Sequence, residues 1–443
     1  MQKTPNQNIE PVTLKVNENS HLELGGCDLV QLAKKYGTPL YVYDEETIRS
    51  MCRAYKEAFK GYGKINMQFA AKSLMTQAIC KIVESEGFGF DLVSGGEIYT
   101  AQSAGVNLEK SLFNGNNKSF DELNMALECG VGRISVDNFY ELSMLDEVAK
   151  LHNRTVDILL RITPGIECHT HEYIQTGHLD SKFGFDLTQL DNVIELIKEK
   201  YTNLNPKGLH AHIGSQIFET QVYADEVEII LREIRRIFDK YDVSLSEINL
   251  GGGLGVMYTQ EDAPPSVEEI AELIIKSVKE SAKKYNLELP TIYIEPGRSI
   301  VATSGVTLYT LGSSKQVPNG KKYVAADGGM ADNPRPITYG AKYSAKLANK
   351  ANYENAETVT IAGRFCESGD IIIKDIQLPE IEAGDVLCVF TTGAYGYSMS
   401  SNYNRVLKPA AVLVNNSQSD IIVLRETYEH LVSLDVIPER LSK

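Results

Sequence analysis

At 443 residues the chain is too long for one ordinary core and suits two domains. Its 43% hydrophobic and 23% charged content is that of a globular protein in water, and a formal charge of -15 argues against non-specific nucleic-acid binding, which needs clustered Lys and Arg. Seven scattered cysteines suit reduced thiols. With no apolar core after Met1 and no apolar run near the roughly 18 residues that span a bilayer, a cytoplasmic enzyme is expected.

Residues 1–44 hold two candidate strands, 12–16 and 21–24, then Tyr41-Val-Tyr43 and a helix cap at Asp44. In the helix that follows, Ile48, Met51, Cys52, Tyr55 and Phe59 fall on one face, and Gly61 closes it. An alternation then begins. Candidate strands end near Lys72, Asp91, Asn114, Asp137, Arg161, His212, Gly251 and Glu295, and helical patterns occupy 76–86, 96–104, 119–129, 138–151, 187–200, 222–240 and 266–285. Eight strands separated by helices over about 250 residues predict a (β/α)8 barrel. An open doubly wound sheet is the alternative, weakened because no Gly-x-Gly-x-x-Gly follows the first strand. The polar or glycine residues at the strand ends would converge on the C-terminal rim, where active sites of barrels lie.

Past about Ser299 the pattern changes to short runs rich in Val, Ile, Thr and Tyr, at 306–311, 322–326, 358–361, 370–376, 385–390, 410–414 and 420–423. These predict a mostly antiparallel β domain completed by the N-terminal strands. The expected division is 1–44 joining the β domain, a barrel over 45–298, and a β domain over 299–443.

Several rim positions carry chemistry. Lys72 ends the apolar run Asn66-Met-Gln-Phe-Ala-Ala-Lys72, and a partly desolvated lysine amine can bond an aldehyde cofactor; read alone it is an ordinary surface lysine. The run Gly251-Gly252-Gly253 lets backbone N–H groups approach a phosphate, although such a run is often only a tight turn. In Glu295-Pro-Gly297-Arg298 the carboxylate can keep a pyridine nitrogen protonated and the arginine can fork onto a phosphate or carboxylate; a structural ion pair is the plain alternative. His210-Ala-His212 and Cys168-His169-Thr-His171 could ligate a metal, but neither has the spaced second pair of a zinc site, so no metal is expected, and His212 suits stacking on a flat ring. Cys366-Glu367 would ordinarily be structural, although a thiol can donate a proton. Arg335, Tyr339 and Tyr395 can bind carboxylate or phosphate.

Together these motifs resemble the fold-type III pyridoxal phosphate decarboxylases, most closely their diaminopimelate decarboxylase branch, over about residues 25–435. The most specific pieces are His171-Glu-Tyr-Ile-Gln-Thr-Gly177 with Ser181-Lys-Phe-Gly184, His212-Ile-Gly-Ser-Gln216, Glu295-Pro-Gly-Arg298, Cys366-Glu-Ser-Gly-Asp370 and Gly393-Ala-Tyr-Gly-Tyr-Ser-Met-Ser-Ser-Asn402. The resemblance implies pyridoxal 5'-phosphate held covalently by Lys72, with His212 on the ring and Glu295 at its nitrogen. Asp91 would be a further cofactor contact. Ser215, Gly251, Gly252, Gly253, Gly297 and Arg298 would take the phosphate, with Tyr395 nearby. Arg298, Arg335, Tyr339, Glu367 and Tyr395 would bind substrate. Cys366 would protonate the carbon that loses carbon dioxide, in the partner subunit's site of a homodimer.

The implied reaction is decarboxylation of meso-2,6-diaminopimelate to L-lysine, the last step of lysine synthesis. Two departures stand out. Phe-Ala-Ala-Lys72-Ser replaces the commoner Tyr-Ala-x-Lys-Ala, and Asn404-Arg-Val-Leu-Lys-Pro409 lacks the usual Arg-Pro-Arg-Pro run. Alternatives are decarboxylases of ornithine, arginine or carboxynorspermidine, which would want acidic groups at the distal end of the substrate. A racemase would place an arginine where Glu295 stands, and a non-catalytic carrier of the cofactor should lack Lys72 or Cys366.

Overall fold

The computed structural model describes residues 3–166 and 181–442. These form two compact units: Met1–Asn8, Ile48–Met257 and Glu261–Val301 in the first, Ile9–Thr47, Tyr258–Gln260 and Ala302–Lys443 in the second.

The first unit is a closed parallel barrel. Its strands are β1 (Ile65–Ala70), β2 (Gly89–Leu92), β3 (Leu112–Phe113), β4 (Arg133–Val136), β5 (Val156–Thr163), β6 (Leu204–His210), β7 (Glu247–Asn249) and β8 (Thr291–Ile294). Each pairs with the next, and β8 pairs back with β1 through Ile292–Ile65 and Ile294–Met67, which removes both sheet edges. Phe69, Phe90, Phe113, Ile134, Leu160, Leu209, Ile248 and Ile292 are buried along them, as the near-continuous apolar runs of a parallel sheet require. At Gly208 a Cβ would lie 1.9 Å from Glu247 O, so only glycine lets β6 close on β7.

The helices between strands start where their capping chemistry puts them. Thr76, Ser94, Ser119, Asn138 and Ser266 accept from the N–H groups of Ile79, Glu97, Glu122, Glu141 and Glu269, opening Gln77–Ser85, Gly95–Ser103, Phe120–Glu128, Phe139–Leu151 and Val267–Lys284. Ser94 and Asn138 cap two residues past the ends of β2 and β4, so there the chain turns from strand to helix at once. No helix among the described residues is long and apolar enough to cross a membrane.

One rim contact is a buried ion pair. Lys118 Nζ donates to Glu141 Oε1 at 2.7 Å and to the carbonyls of Gly115 and Ser135 at 2.8 and 2.7 Å. Removing one partner strands the other charge without water. Lys118→Met is therefore expected to destabilise the barrel by about 3–5 kcal/mol, read as a lowered melting temperature. Adding Glu141→Gln should recover most of it; a double variant no better than the single would contradict the pairing.

The second unit is a mixed sheet ordered Ile371–Leu378, Glu357–Ala362, Lys322–Ala326, Gly305–Gln316, Leu40–Asp44, Ala410–Asn415, Gln418–Val423, with Val386–Val389 joining Gly305–Gln316 to Ala345–Leu347. Leu40–Asp44 runs antiparallel to Gly305–Gln316 and parallel to Ala410–Asn415, so the N-terminal segment does complete this sheet. The strands expected at 12–16 and 21–24 do not enter it. Shortened to Lys15–Val16 and Leu22–Leu24, they form a small antiparallel sheet of their own with Cys27–Asp28, closed by a tight turn through Gly25 and Gly26, both of positive φ. Asp44 Oδ2 accepts from Thr47 N at 3.2 Å and so caps the helix Glu45–Phe59.

Candidate active site

At the C-terminal rim of the barrel, β1 ends at Ala70 and one helical turn, Ala71–Ser73, carries Lys72. Ser73 Oγ donates back to Ala70 O at 2.8 Å, fixing that turn. Lys72 itself is exposed, and its charge reaches Asp91, Glu295 and His212. An amine so placed is open to a carbonyl compound and sits between two acids that favour its charged form.

Glu295 stands just beyond β8 and is buried. Asn249 Nδ2 donates to its Oε1 at 2.7 Å, and the Asn249 Oδ1 accepts from Gly251 N at 2.9 Å, so one side chain ties the acid to the glycine turn. Burial above all, then the nearby Asp91 charge, pushes the Glu295 carboxyl up to about 8, against the pull of Lys72. Burial also raises Asp91, opposed by Lys72 and Arg161. For His212, burial first, then Lys72 and Arg161, drives the pKa well below the usual imidazole range. Its ring is neutral, and Gly252 N donates to its Nδ1 at 3.3 Å, which leaves the proton on Nε2.

The glycines are needed for close approach. A Cβ at Gly251 would come 2.5 Å from His212 Nδ1, at Gly252 2.3 Å from Glu295 O, at Gly253 2.7 Å from Gly214 O, and at Gly297 2.8 Å from Ala70 Cβ. Arg298 Nη2 and Nε donate to Ser215 Oγ at 3.0 and 3.3 Å, joining a cation and a hydroxyl beside that turn. The rim thus offers an accessible amine, a buried acid, a neutral flat ring and a cationic pair at a glycine turn. These are the groups that pyridoxal phosphate needs at its aldehyde, ring nitrogen, ring face and phosphate, and the residues fit it. Lys72, Asp91, His212, Ser215, Gly251, Gly252, Gly253, Glu295, Gly297 and Arg298 are all brought together here.

Sequence reasoning left out three neighbours. Asn249 supports Glu295 as described. Arg161, noted only as a strand end, donates to Asn114 Oδ1 at 3.0 Å, lies 3.9 Å from Asp137 and covers the Phe183 ring at 4.2 Å. His210, weighed only as a metal ligand, has its Nε2 3.5 Å from Glu295 Oε1. Asn249 and His210 are the last residues of their strands and Arg161 lies two before the end of β5, and a polar residue near a strand end is the one signal that pointed to them. The motif His171 to Gly177 and the group Cys168-His169-Thr-His171 lie outside the described residues.

In the second unit Arg335 is buried in a ring of phenols. Its Nη1 donates to Tyr258 and Tyr343 hydroxyls at 2.8 and 2.9 Å, and its guanidinium lies 5.1, 5.9 and 6.0 Å from the Tyr258, Tyr339 and Tyr395 ring centres. Tyr395 takes φ +62, in the left-handed region where a non-glycine residue costs on the order of 1 kcal/mol or more, and Gly396 beside it has no room for a Cβ. Tyr258 and Tyr343 were not legible as members of this cluster. Cys366 and Glu367 do not join it: both are exposed at the tip of the hairpin between Glu357–Ala362 and Ile371–Leu378. That tip is shaped by Asp370, whose carboxylate accepts from Met330 N at 2.7 Å and Phe365 N at 2.9 Å, while Glu367 accepts from the Tyr403 hydroxyl. In the run that departs from Arg-Pro-Arg-Pro, Asn404 and Arg405 both have positive φ.

Comparison with known proteins agrees with this chemistry. Residues 45–302 match the family described as pyridoxal-dependent decarboxylase, pyridoxal binding domain. The chain is 49% identical over 427 residues to the diaminopimelate decarboxylase of Bacillus subtilis (strain 168), covering 96% of this chain and 97% of that one. It is 48% identical over 448 residues to that of Synechocystis sp., covering 99% and 95%. Among solved structures, diaminopimelate decarboxylase from M. jannaschii in complex with L-lysine superposes with a TM-score of 0.91 at 35% identity, covering 97% of this chain and 99% of that one. With a barrel whose rim fits that cofactor, the chain belongs to the pyridoxal-dependent decarboxylases, and within them to the diaminopimelate decarboxylases.

Proposed function

We propose that this chain decarboxylates meso-2,6-diaminopimelate to L-lysine and carbon dioxide, the last step of lysine synthesis, as a cytoplasmic homodimer with a cofactor-binding barrel over about 45–298. The observation that carries this is the convergence of Lys72, His212, Glu295 and the Ser215–Arg298 pair on one rim. Pyridoxal phosphate, when bound, supplies the electron sink for the pair left behind by the departing carboxylate.

The protein's own residues do the rest. Lys72 would hold the cofactor through its amine. Glu295 keeps the ring-nitrogen proton in place, and Asp91 balances the amine charge. His212 covers the ring as a neutral imidazole. Ser215, Arg298 and the N–H groups around Gly251, Gly252, Gly253 and Gly297 hold the phosphate, with Tyr395. Arg335, framed by Tyr339 and Tyr395, binds the distal carboxylate, a group that ornithine and arginine lack, and Glu367 the distal amine. Cys366, exposed at its hairpin tip, supplies the proton that replaces carbon dioxide; its exposure supports delivery to the partner subunit's site.

Carbon dioxide release from protein loaded with cofactor, offered meso-diaminopimelate, ornithine, arginine and lysine in parallel, tests the reading. Release from diaminopimelate alone, with lysine as product, is expected; release from ornithine or arginine would overturn the substrate. Arg335→Met should raise KM for diaminopimelate by about 10- to 100-fold, the value of a charged hydrogen bond, with a smaller change in kcat. An unchanged KM would remove Arg335 from the substrate site.

A further inference from the structure

His210 has no part in the roles above, yet it is fully buried beside Glu295. Its Nδ1 lies 2.7 Å from Ser135 Oγ. Its Nε2 lies 3.5 Å from Glu295 Oε1, outside hydrogen-bond geometry, and has no hydrogen-bond partner among the described residues. A buried ring nitrogen left unbonded costs free energy unless a partner arrives. The position is fixed by β6, where His210 is the last residue and pairs in register with Arg161 of β5 and Asn249 of β7.

Resting on the cofactor reading of this rim, we propose that His210 is a positioning residue for Glu295: Ser135 donates to Nδ1, and Nε2–H donates to Oε1 once Glu295 carries the negative charge that pairs with the protonated ring nitrogen. Asn249 already donates to the same oxygen. Both donors would then lie on Oε1, which would leave Oε2 for the ring nitrogen. A movement of a few tenths of an ångström closes the 3.5 Å gap to an ordinary N–H···O distance.

Neutrality is what suits imidazole to this task. A permanent cation at this place would neutralise Glu295 and loosen its hold on the ring-nitrogen proton, whereas a neutral donor orients the carboxylate and leaves it basic. Burial first, then the charge of Arg161 with those of Lys72 and Lys118, keeps His210 far below the usual imidazole range. The groups facing Glu295 are Asp91, Lys72, Arg161, Glu226 and His210, so the acid sits among charges of both signs, and the donors decide its orientation.

The test uses full-length protein loaded with pyridoxal phosphate isotopically labelled at the ring nitrogen. The NMR resonance of that nitrogen reports its protonation, independently of turnover. Wild type and His210→Gln, whose amide reaches the place of Nε2, should stay protonated from neutral into alkaline pH. His210→Phe fills the space without a donor, and should shift toward the unprotonated resonance at lower pH. It should also lower kcat roughly tenfold with KM changed less than about twofold. Ser135→Ala, which keeps the imidazole, should shift the same way by less, and serves if His210→Phe does not fold. If both variants lose melting temperature but keep the wild-type resonance, His210 is merely structural and the proposal fails. If wild type itself binds no ring-protonated cofactor, the reading of the rim fails with it.

Discussion

On the proposed role of Lys72, a Lys72→Ala variant is expected to purify without the yellow absorbance of covalently held cofactor and to turn over slower by about 10³-fold or more, since it lacks the amine proposed to hold the cofactor. Folding should survive, because Lys72 is exposed on a single turn whose packing rests on Ser73 and Ala70. The substitution has a second consequence. Lys72 pulls down both Asp91 and Glu295, so its removal should push these acids further up and weaken cofactor retention beyond the loss of the bond. Absorbance spectra and equilibrium dialysis with added cofactor measure both. Full colour in Lys72→Ala would place the bond on another lysine.

Glu295→Gln should lower kcat by about 10²–10³-fold, the scale for removing one preorganised charge partner, because a neutral amide does not hold the ring-nitrogen proton. Its effect on the cofactor-free protein has a defined sign. Folding raises the Glu295 carboxyl from 4.5 to about 8, by burial first and then by Asp91, with Lys72, Asn249 and Arg161 opposing. The folded state therefore binds that proton more tightly than the unfolded state does, and wild type loses stability as pH rises through this window. The glutamine has no charge to bury and keeps an acceptor for Asn249. Cofactor-free Glu295→Gln should match wild type near the lower limit and exceed it above the upper one, by roughly 5 kcal/mol for a shift of that size. Melting curves at the two ends of the window decide it. An equal offset at both would mean that Glu295 is not the titrating group.

Much of the fold was legible because it rests on local rules. Helices at 76–86 and 119–129 were readable from an apolar face and a capping Thr or Ser, and the structure starts them at those caps. The strand ends were readable because an apolar run must stop where the chain leaves the barrel. The small N-terminal sheet was not: 12–16 and 21–24 carry strand pattern, but whether they join the large sheet depends on which partner edge is open. The Leu40–Asp44 strand fills the place between Gly305–Gln316 and Ala410–Asn415, and a pattern of period two cannot name its partner.

The site divides in the same way. Lys72, Glu295, the glycine run and Arg298 were visible because each has a chemistry readable from residue type and position at a strand end. Asn249, Arg161 and His210 gained their roles only from barrel closure, which sets β6, β7 and β8 side by side and brings residues far apart in sequence within reach of Glu295. Tyr258 and Tyr343 likewise became a setting for Arg335 only through packing. The sequence by itself determined the barrel, and it singled out Lys72 and Glu295 as candidates for the cofactor amine and the ring-nitrogen acid, since periodicity and side-chain chemistry are local properties. The tertiary structure alone decided which neutral side chains orient that acid and how far its proton affinity rises, because burial and the distance between charges exist only once the chain has closed on itself.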